Sequence, residues 1–324
     1  MYGSGTPPIH TVTTPTPTQD DPATLEGVLA RFPWPTPPGA TAAPAWRGGQ
    51  FQSDGQSRRV LCYDADDSHW SAELTELHEA EAGAHHPIDD LSRRAAVRSL
   101  TRHLPPGGRP LVLDVGCSSG FVIGEIHRAL PHAAVIGSDY LLPPLEKLGA
   151  RLPGVPLLQF DLRRCPLPDA CVDAVTSLNV LEHIDDDARA LREIARILRP
   201  GGVAHVEVPA GPGCYDFYDE LLMHHRRYTS RALLAKARAA GLVVERATHL
   251  GCLIYPAFWL VKQRRRRLTG LSADEKHRLV ADSIRATGHS ALLSLALRAE
   301  AALGRSVNFP FGIRCVAVLR KPAA

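Results

Sequence analysis

The sequence has no Cys-x-x-Cys pair. Its seven cysteines (Cys62, Cys117, Cys165, Cys171, Cys214, Cys252 and Cys315) are scattered singly. This excludes a zinc ribbon or a dense disulfide framework and suits a reducing compartment. No basic stretch followed by an apolar core opens the chain, so no signal peptide is expected. The longest apolar run, Gly251 to Val261, falls well short of the roughly 20 residues that a membrane-spanning helix needs. Neither sign of charge dominates. The 37 Lys and Arg against 34 Asp and Glu leave +3, too mild a balance to specify a nucleic-acid partner. With 44% hydrophobic and 22% charged residues, wholesale disorder is excluded as well. These absences predict a soluble cytoplasmic protein built as one large domain, or as a core with additions.

Three zones are visible in what remains. Residues 1–45 are rich in Pro, Thr, Gly and Ala, as in Thr13-Thr-Pro-Thr-Pro17 and Phe32-Pro-Trp-Pro-Thr-Pro-Pro38. That composition predicts a disordered tail, with a short helix possible at Leu25 to Phe32. Residues 46–105 predict a helical lid, with one strand at Arg59 to Tyr63 and helices over Trp70 to Ala82 and Asp89 to Leu104. Pro105-Pro-Gly-Gly108 stops the last of these. From residue 106 to 324 the pattern alternates. Strands are expected at Pro110–Val115, Ala134–Ser138, Pro156–Phe160, Val172–Thr176, Gly202–Val208, Leu242–Val244 and Ile313–Leu319. Between them lie amphipathic helices, the clearest over Asp186 to Leu198. Such alternation demands an α/β fold with a mainly parallel sheet between helices.

Three of these strand ends carry chemistry. Leu113-Asp-Val-Gly-Cys-Ser-Ser-Gly120 leaves the first strand and enters a helix, and Gly116 and Gly120 let the backbone turn sharply beside a ligand. Ser118 replaces the middle glycine of the dinucleotide fingerprint. Asp114, two places before Gly116, speaks against a phosphate ligand and for a cationic or amino-acid-like one. Asp139, followed by Tyr140, ends the second strand, where a carboxylate can accept both hydroxyls of a ribose. Asp161, followed by Leu162, ends the third, where it can accept from an exocyclic amine.

Together these motifs resemble the class I S-adenosylmethionine-dependent methyltransferases, over roughly Leu91 to Lys321. The resemblance implies a Rossmann-like seven-stranded sandwich of strand order 3-2-1-4-5-7-6, strand seven antiparallel. It further implies that S-adenosylmethionine is the cofactor, held by Asp114, Gly116, Cys117, Ser118 and Gly120, with Asp139 and Tyr140 at the ribose and Asp161 and Leu162 at adenine. Asn179-Val-Leu-Glu-His183 matches the segment lining the methionine half, which brings in Asn179 and Val180, and Leu198-Arg-Pro-Gly-Gly202 matches the turn before strand five. Ser118 departs from the family's glycine. Residues 46–105 and an insertion at 250–310 are implied to cover the active site, with His86 and Arg94 available to the cofactor's carboxylate.

Methyl transfer needs an acceptor aligned in line with the sulfonium and a group to take its proton. His183 is the first candidate; packing against methionine or capping the next helix is its structural alternative. His224 and Tyr228, in His224-His-Arg-Arg-Tyr228, are the next, with a role in locking the loop as the alternative. His78, Glu79, Glu81, His85 and His86 lack the His-Glu-x-x-His spacing, so no metal is expected. Gly251 to Leu260 followed by Lys262-Gln-Arg-Arg-Arg-Arg267 reads as a lid helix whose apolar face covers the pocket, or else as a peripheral membrane contact. The expected activity is methylation of an oxygen or nitrogen on a small-molecule acceptor, such as a secondary metabolite or sugar-bearing intermediate. A methyltransferase acting on RNA or protein, and a non-catalytic partner protein that keeps the fold, are the other classes open.

Overall fold

The computed structural model describes residues 24–64, 86–268, 270, 272–288 and 290–323. The helix expected over Trp70 to Ala82, with His78, Glu79, Glu81 and His85, lies outside the described residues, as does the start of the expected tail. In chain order, helix α1 (Leu25–Ala30) leads into strands β1 (Ala45–Arg47), β2 (Gln50–Ser53), β3 (Gln56–Arg58) and β4 (Val60–Cys62). Helix α2 (Pro87–His103) then precedes β5 (Leu111–Val115), α3 (Phe121–Ala129), β6 (Ala134–Asp139), α4 (Leu142–Arg151) and β7 (Leu157–Gln159). Next come β8 (Val172–Leu178), α5 (Asp187–Ile197), β9 (Leu198–Pro209), α6 (Phe217–Leu221), α7 (Ser230–Ala239) and β10 (Val243–Leu250). The chain closes with α8 (Tyr255–Arg266), α9 (Ala273–Gly288), α10 (Ala291–Leu303) and β11 (Arg314–Arg320).

The main sheet runs β10-β11-β9-β8-β5-β6-β7-β4. Numbered by the seven expected strands, this is 6-7-5-4-1-2-3 with one strand added beyond the third. β11 is antiparallel to β9 and β10, and the remaining pairings are parallel. Every residue of β5 is buried, because helices cover both faces of the strand, and all but Asp114 are apolar. Alternation still sorts its side chains. Leu111, Leu113 and Val115 join an apolar cluster with Ile136, Val175 and Leu191, while Val112 joins Ile123, Val135 and Leu148 on the other face.

The tail expected to reach residue 45 is folded from Thr24 onward. The Thr24 hydroxyl accepts from the Gly27 amide and caps α1. Trp34 is 3% exposed, its indole N–H donates to the Leu29 carbonyl at 2.9 Å, and its ring meets Phe51 edge-on at 4.9 Å. Trp46 and Phe51 face each other across β1 and β2, with ring centroids 4.7 Å apart. The prolines are passengers on an aromatic cluster; burying such rings stabilises the segment by roughly 2–3 kcal/mol each, enough to order it. Residues 46–62 are correspondingly strands rather than helices. β1–β3 form a three-stranded antiparallel sheet, and β4 pairs in parallel with β7 on the main sheet. Among the described residues of this zone, α2 is helical as expected.

Candidate active site

The carboxyl ends of β5, β6, β7 and β8 lie in the same sheet, so the loops that follow them converge. At Gly116, φ is +70°, and an added Cβ would stand 2.5 Å from Val180 Cγ2. Glycine there lets the loop after β8 close onto the loop after β5. Ser118 holds a left-handed φ of 43° without being glycine. Its amide donates to Asp139 Oδ2 at 3.0 Å, while Asp139 Oδ1 accepts from the Leu141 amide at 3.0 Å. Asp139 thus stitches the first two loops together, and its hydrogen bond offsets the roughly 1–2 kcal/mol that a non-glycine residue loses in that conformation. Cys117, its amide bonded to the Ser138 carbonyl at 2.9 Å, is a buried loop residue, and Tyr140 sits half-buried beside Asp139.

Asp114 is buried beneath this turn. Its Oδ1 accepts from the Thr176 hydroxyl at 2.6 Å, but Oδ2 meets no hydrogen-bond partner among the described residues. Burial pushes its pKa up to about 7 against the pull of the Thr176 bond, and the charge of Asp139 adds to the rise. Asp161 is also buried, next to buried Leu162. Arg163 already engages it, with the backbone amide 2.8 Å from Oδ1 and Nη2 2.7 Å from Oδ2.

Asn179 takes a φ of 54° where the loop leaves β8, and its amide donates to the Glu207 carbonyl at 2.9 Å. Three residues on, Glu182 is fully buried. Neither of its carboxylate oxygens has a partner among the described residues beyond an approach to its own backbone N–H, and burial pushes the group up to about 8. The His183 ring stands 4.6 Å from the His224 ring at 72°. His224 Nδ1 lies 2.9 Å from Asp219 Oδ1. Burial holds its pKa below the ordinary value in spite of Asp219, so the neutral imidazole carries its proton on Nδ1 and keeps a lone pair on Nε2.

Asp219 is the hub behind that histidine. Arg227 Nε donates to it at 2.7 Å and Lys262 Nζ at 3.0 Å, and Lys262 also reaches Asp216 Oδ1 at 2.6 Å. Burial raises Asp219, but the His224 bond and the two cations outweigh it and hold the carboxyl well below the usual range. Asp216 and Asp219 additionally form a capping box at the start of α6.

Several expected residues are placed differently. Tyr228 is buried, with its hydroxyl 2.7 Å from Asp187 Oδ2 and 3.1 Å from the Leu181 carbonyl. Its phenol ties the loop after β8 to α5 and has no hydrogen left for a substrate. Arg94 is exposed on α2, where it borders a shallow surface depression with Glu125 and Arg128 rather than joining the loops. His86 precedes α2, 3.6 Å from Asp89. On α8 the expected burial is inverted: Lys262 is 2% exposed and Trp259 is 47% exposed. The pair of buried aspartates draws the lysine inward and turns the apolar residues out. No helix among the described residues is long and apolar enough to cross a membrane.

Although no metal is expected from spacing in the sequence, the fold brings Glu182, His183 and His224 together. Each offers one ligand atom within 4.8 Å of the others, a spacing a divalent ion could draw in. Reasoning from sequence also missed Asp219, Arg227 and Lys262. The Asp-x-x-Asp spacing of 216 and 219, a capping signal, was the visible trace of the first.

Residues 113–206 match the family described as methyltransferase domain. Over 101 residues the chain is 40% identical to a Mycolicibacterium smegmatis protein named "Probable S-adenosylmethionine-dependent methyltransferase", covering 30% of this chain and 37% of that one. It is 34% identical over 147 residues to trans-aconitate 2-methyltransferase of an Azoarcus species, covering 45% and 56%. The chain thus spans about a third to just over half of these relatives' length. Phosphoethanolamine N-methyltransferase 2 of Haemonchus contortus, solved with S-adenosyl-L-methionine, superposes with a TM-score of 0.51 at 16% identity, covering 79% of this chain and 59% of that one. At that identity the likeness is one of fold. Strand order, loops and matched residues converge: residues 113–206 match a methyltransferase domain, within a fold like that of the class I, S-adenosylmethionine-dependent methyltransferases.

Proposed function

We propose that the whole chain transfers the methyl group of S-adenosylmethionine to an oxygen or nitrogen of a small molecule. The observation that carries this reading is Asp114 Oδ2, a buried carboxylate oxygen with no partner among the described residues, lying under the loop that Gly116 and Asp139 shape. A cofactor with an ammonium and a sulfonium supplies the donors and positive charge that such an acid lacks. Asp139 would take the ribose, Asp161 the adenine amine, and Asn179 and Val180 would line the methionine half. Tyr140, Cys117 and Leu162 shape the same wall.

When bound, S-adenosylmethionine would supply an electrophilic methyl carbon, its carbon–sulfur electron pair staying on sulfur as the acceptor's lone pair forms the new bond. His183 takes the acceptor's proton. His224, oriented by Asp219, holds the His183 ring edge-on and needs no proton of its own to do so. Trans-aconitate, the acceptor in the Azoarcus relative's name, supports a small-molecule substrate. A cytoplasmic setting fits the seven free cysteines.

Calorimetric titration of S-adenosylmethionine and S-adenosylhomocysteine tests this. Micromolar-range binding is expected for the wild type, weakened at least about tenfold by Asp139→Ala. Absence of binding to folded wild-type protein overturns the reading. With binding established, His183→Ala is expected to lower kcat by about a hundredfold or more, while cofactor affinity stays unchanged.

A further inference from the structure

Away from the loops just described, α2, β10, β11 and the end of α10 enclose a cavity of about 750 Å³. That volume is typical of sites for small organic ligands, roughly 300–1,000 Å³. None of Asp114, Gly116, Ser118, Asp139, Asp161 or His183 lines it. Part of the lining is apolar: Leu91 and Ala95 of α2 and Val316 and Val318 of β11. The lining also carries four arginines: Arg98 and Arg102 on α2, Arg246 on β10, and Arg305 beyond α10. Arg98 and Arg246 are half-buried, while Arg102 and Arg305 are exposed at the mouth.

Among the described residues, none of the four is in an ion pair. Arg246 donates to Asn308 Oδ1 at 2.7 Å and to the Gly304 carbonyl at 2.6 Å, and Arg98 makes a 3.4 Å contact with the Ala301 carbonyl. The two acids of the lining are engaged elsewhere. Glu245 pairs with Arg320 at 2.8 Å, and Glu300 accepts from the Gly251 and Leu253 amides at 2.6 and 3.0 Å. Burial and the neighbouring arginines therefore depress the pKa of both Arg98 and Arg246. A second observation is independent of these charges. His205, on β9, is 1% exposed and borders the cavity, yet neither ring nitrogen has a hydrogen-bond partner among the described residues. Burial keeps that imidazole neutral, so it holds one N–H donor and one acceptor in reserve.

We propose that this cavity binds an organic phosphate. Arg98 and Arg246 grip the phosphoryl oxygens, His205 donates from the floor, and Arg102 and Arg305 guard the entrance. Four guanidinium groups suit a multiply charged anion better than a single carboxylate, and their planar forks match phosphoryl oxygens. The apolar part of the lining and the volume call for a carbon skeleton beyond the phosphate. This site is independent of the methyl-transfer reading and would stand if that reading fell.

The test is calorimetric titration of the full chain, in excess S-adenosylhomocysteine to occupy any nucleoside site, with three probes: inorganic pyrophosphate, UDP and dihexanoyl phosphatidic acid. Tighter binding of UDP than of pyrophosphate identifies a soluble phosphate ester; tighter binding of the short-chain lipid identifies a lipid headgroup. Arg98→Gln and Arg102→Gln are each expected to weaken the preferred probe about tenfold or more, leaving S-adenosylhomocysteine affinity unchanged. His205→Leu, which removes the orphaned ring, is expected to melt no lower than wild type and still lose affinity. No heat with any probe, binding of pyrophosphate alone, or binding undiminished in all three variants overturns the proposal.

Discussion

Asp219 and Asp114 are both acids removed from water, yet the chain compensates only the first. Around Asp219 stand Arg227, Lys262 and His224, and the carboxyl is held ionised. Around Asp114 there is one hydroxyl, and the carboxyl is pushed up to about 7. Glu182 goes further in the same direction, to about 8. A buried acid whose charge is answered by the protein is part of the framework, because removing it strands its partners. One whose charge is left unanswered is stable only when protonated or when something else supplies the counter-charge, and that something is a ligand. The two groups lie close in the fold, since His224, bonded to Asp219, stacks against His183, the neighbour of Glu182.

If the contrast holds, Asp219→Ala is the most damaging single change. It leaves Arg227 buried without its carboxylate and Lys262 with Asp216 alone, and is expected to cost about 3–5 kcal/mol, measurable by chemical denaturation. Unchanged stability would break the comparison outright. Asp114 and Glu182 predict a pH effect of opposite character. Their folded pKa values lie above the ordinary 3.8 and 4.5, so the stability they contribute is complete below pH 4 and is lost as pH rises through about 7 and 8. Ligand-free protein is therefore expected to melt lower at pH 8.5 than at pH 5.5, and Glu182→Gln to flatten that slope. Asp114→Asn sharpens the point further. It should leave melting at pH 7 within about 1 kcal/mol of wild type while weakening S-adenosylmethionine about tenfold, since only the ligand needs the charge. The smallest effect belongs to Ser118→Gly, which relieves a left-handed serine. Stability is expected to change by about 1 kcal/mol or less, with cofactor affinity retained.

The strands and the three acids at their ends were legible because they are local. A continuous apolar run such as Leu111-Val-Leu-Asp-Val115 can only be a strand covered on both faces, and a turn bearing Gly116 and Gly120 declares itself. What escaped is what distant residues decide together. Up to residue 45 the sequence reads as tail by composition, and from 46 onward as part of a helical lid, because an average over prolines and threonines hides Trp34, Trp46 and Phe51, which find one another only in three dimensions. The apolar run at the start of α8 reads as a buried face. Lys262 reverses it by reaching Asp216 and Asp219 on another helix, which no periodicity within α8 encodes. Likewise Tyr228 looks reactive in sequence, and only its contact with Asp187 assigns the phenol to packing.

The pairing of β4 with β7 has a consequence in time. Val60 aligns with Leu157, so β4 has no strand to join until nearly a hundred further residues have been made. Its docking is a high-separation event. When it arrives, it covers the edge of β7 and leaves only a three-residue strand as the new border. β4 is thus a cover on the sheet's border, short enough to keep copies of the chain from pairing edge to edge.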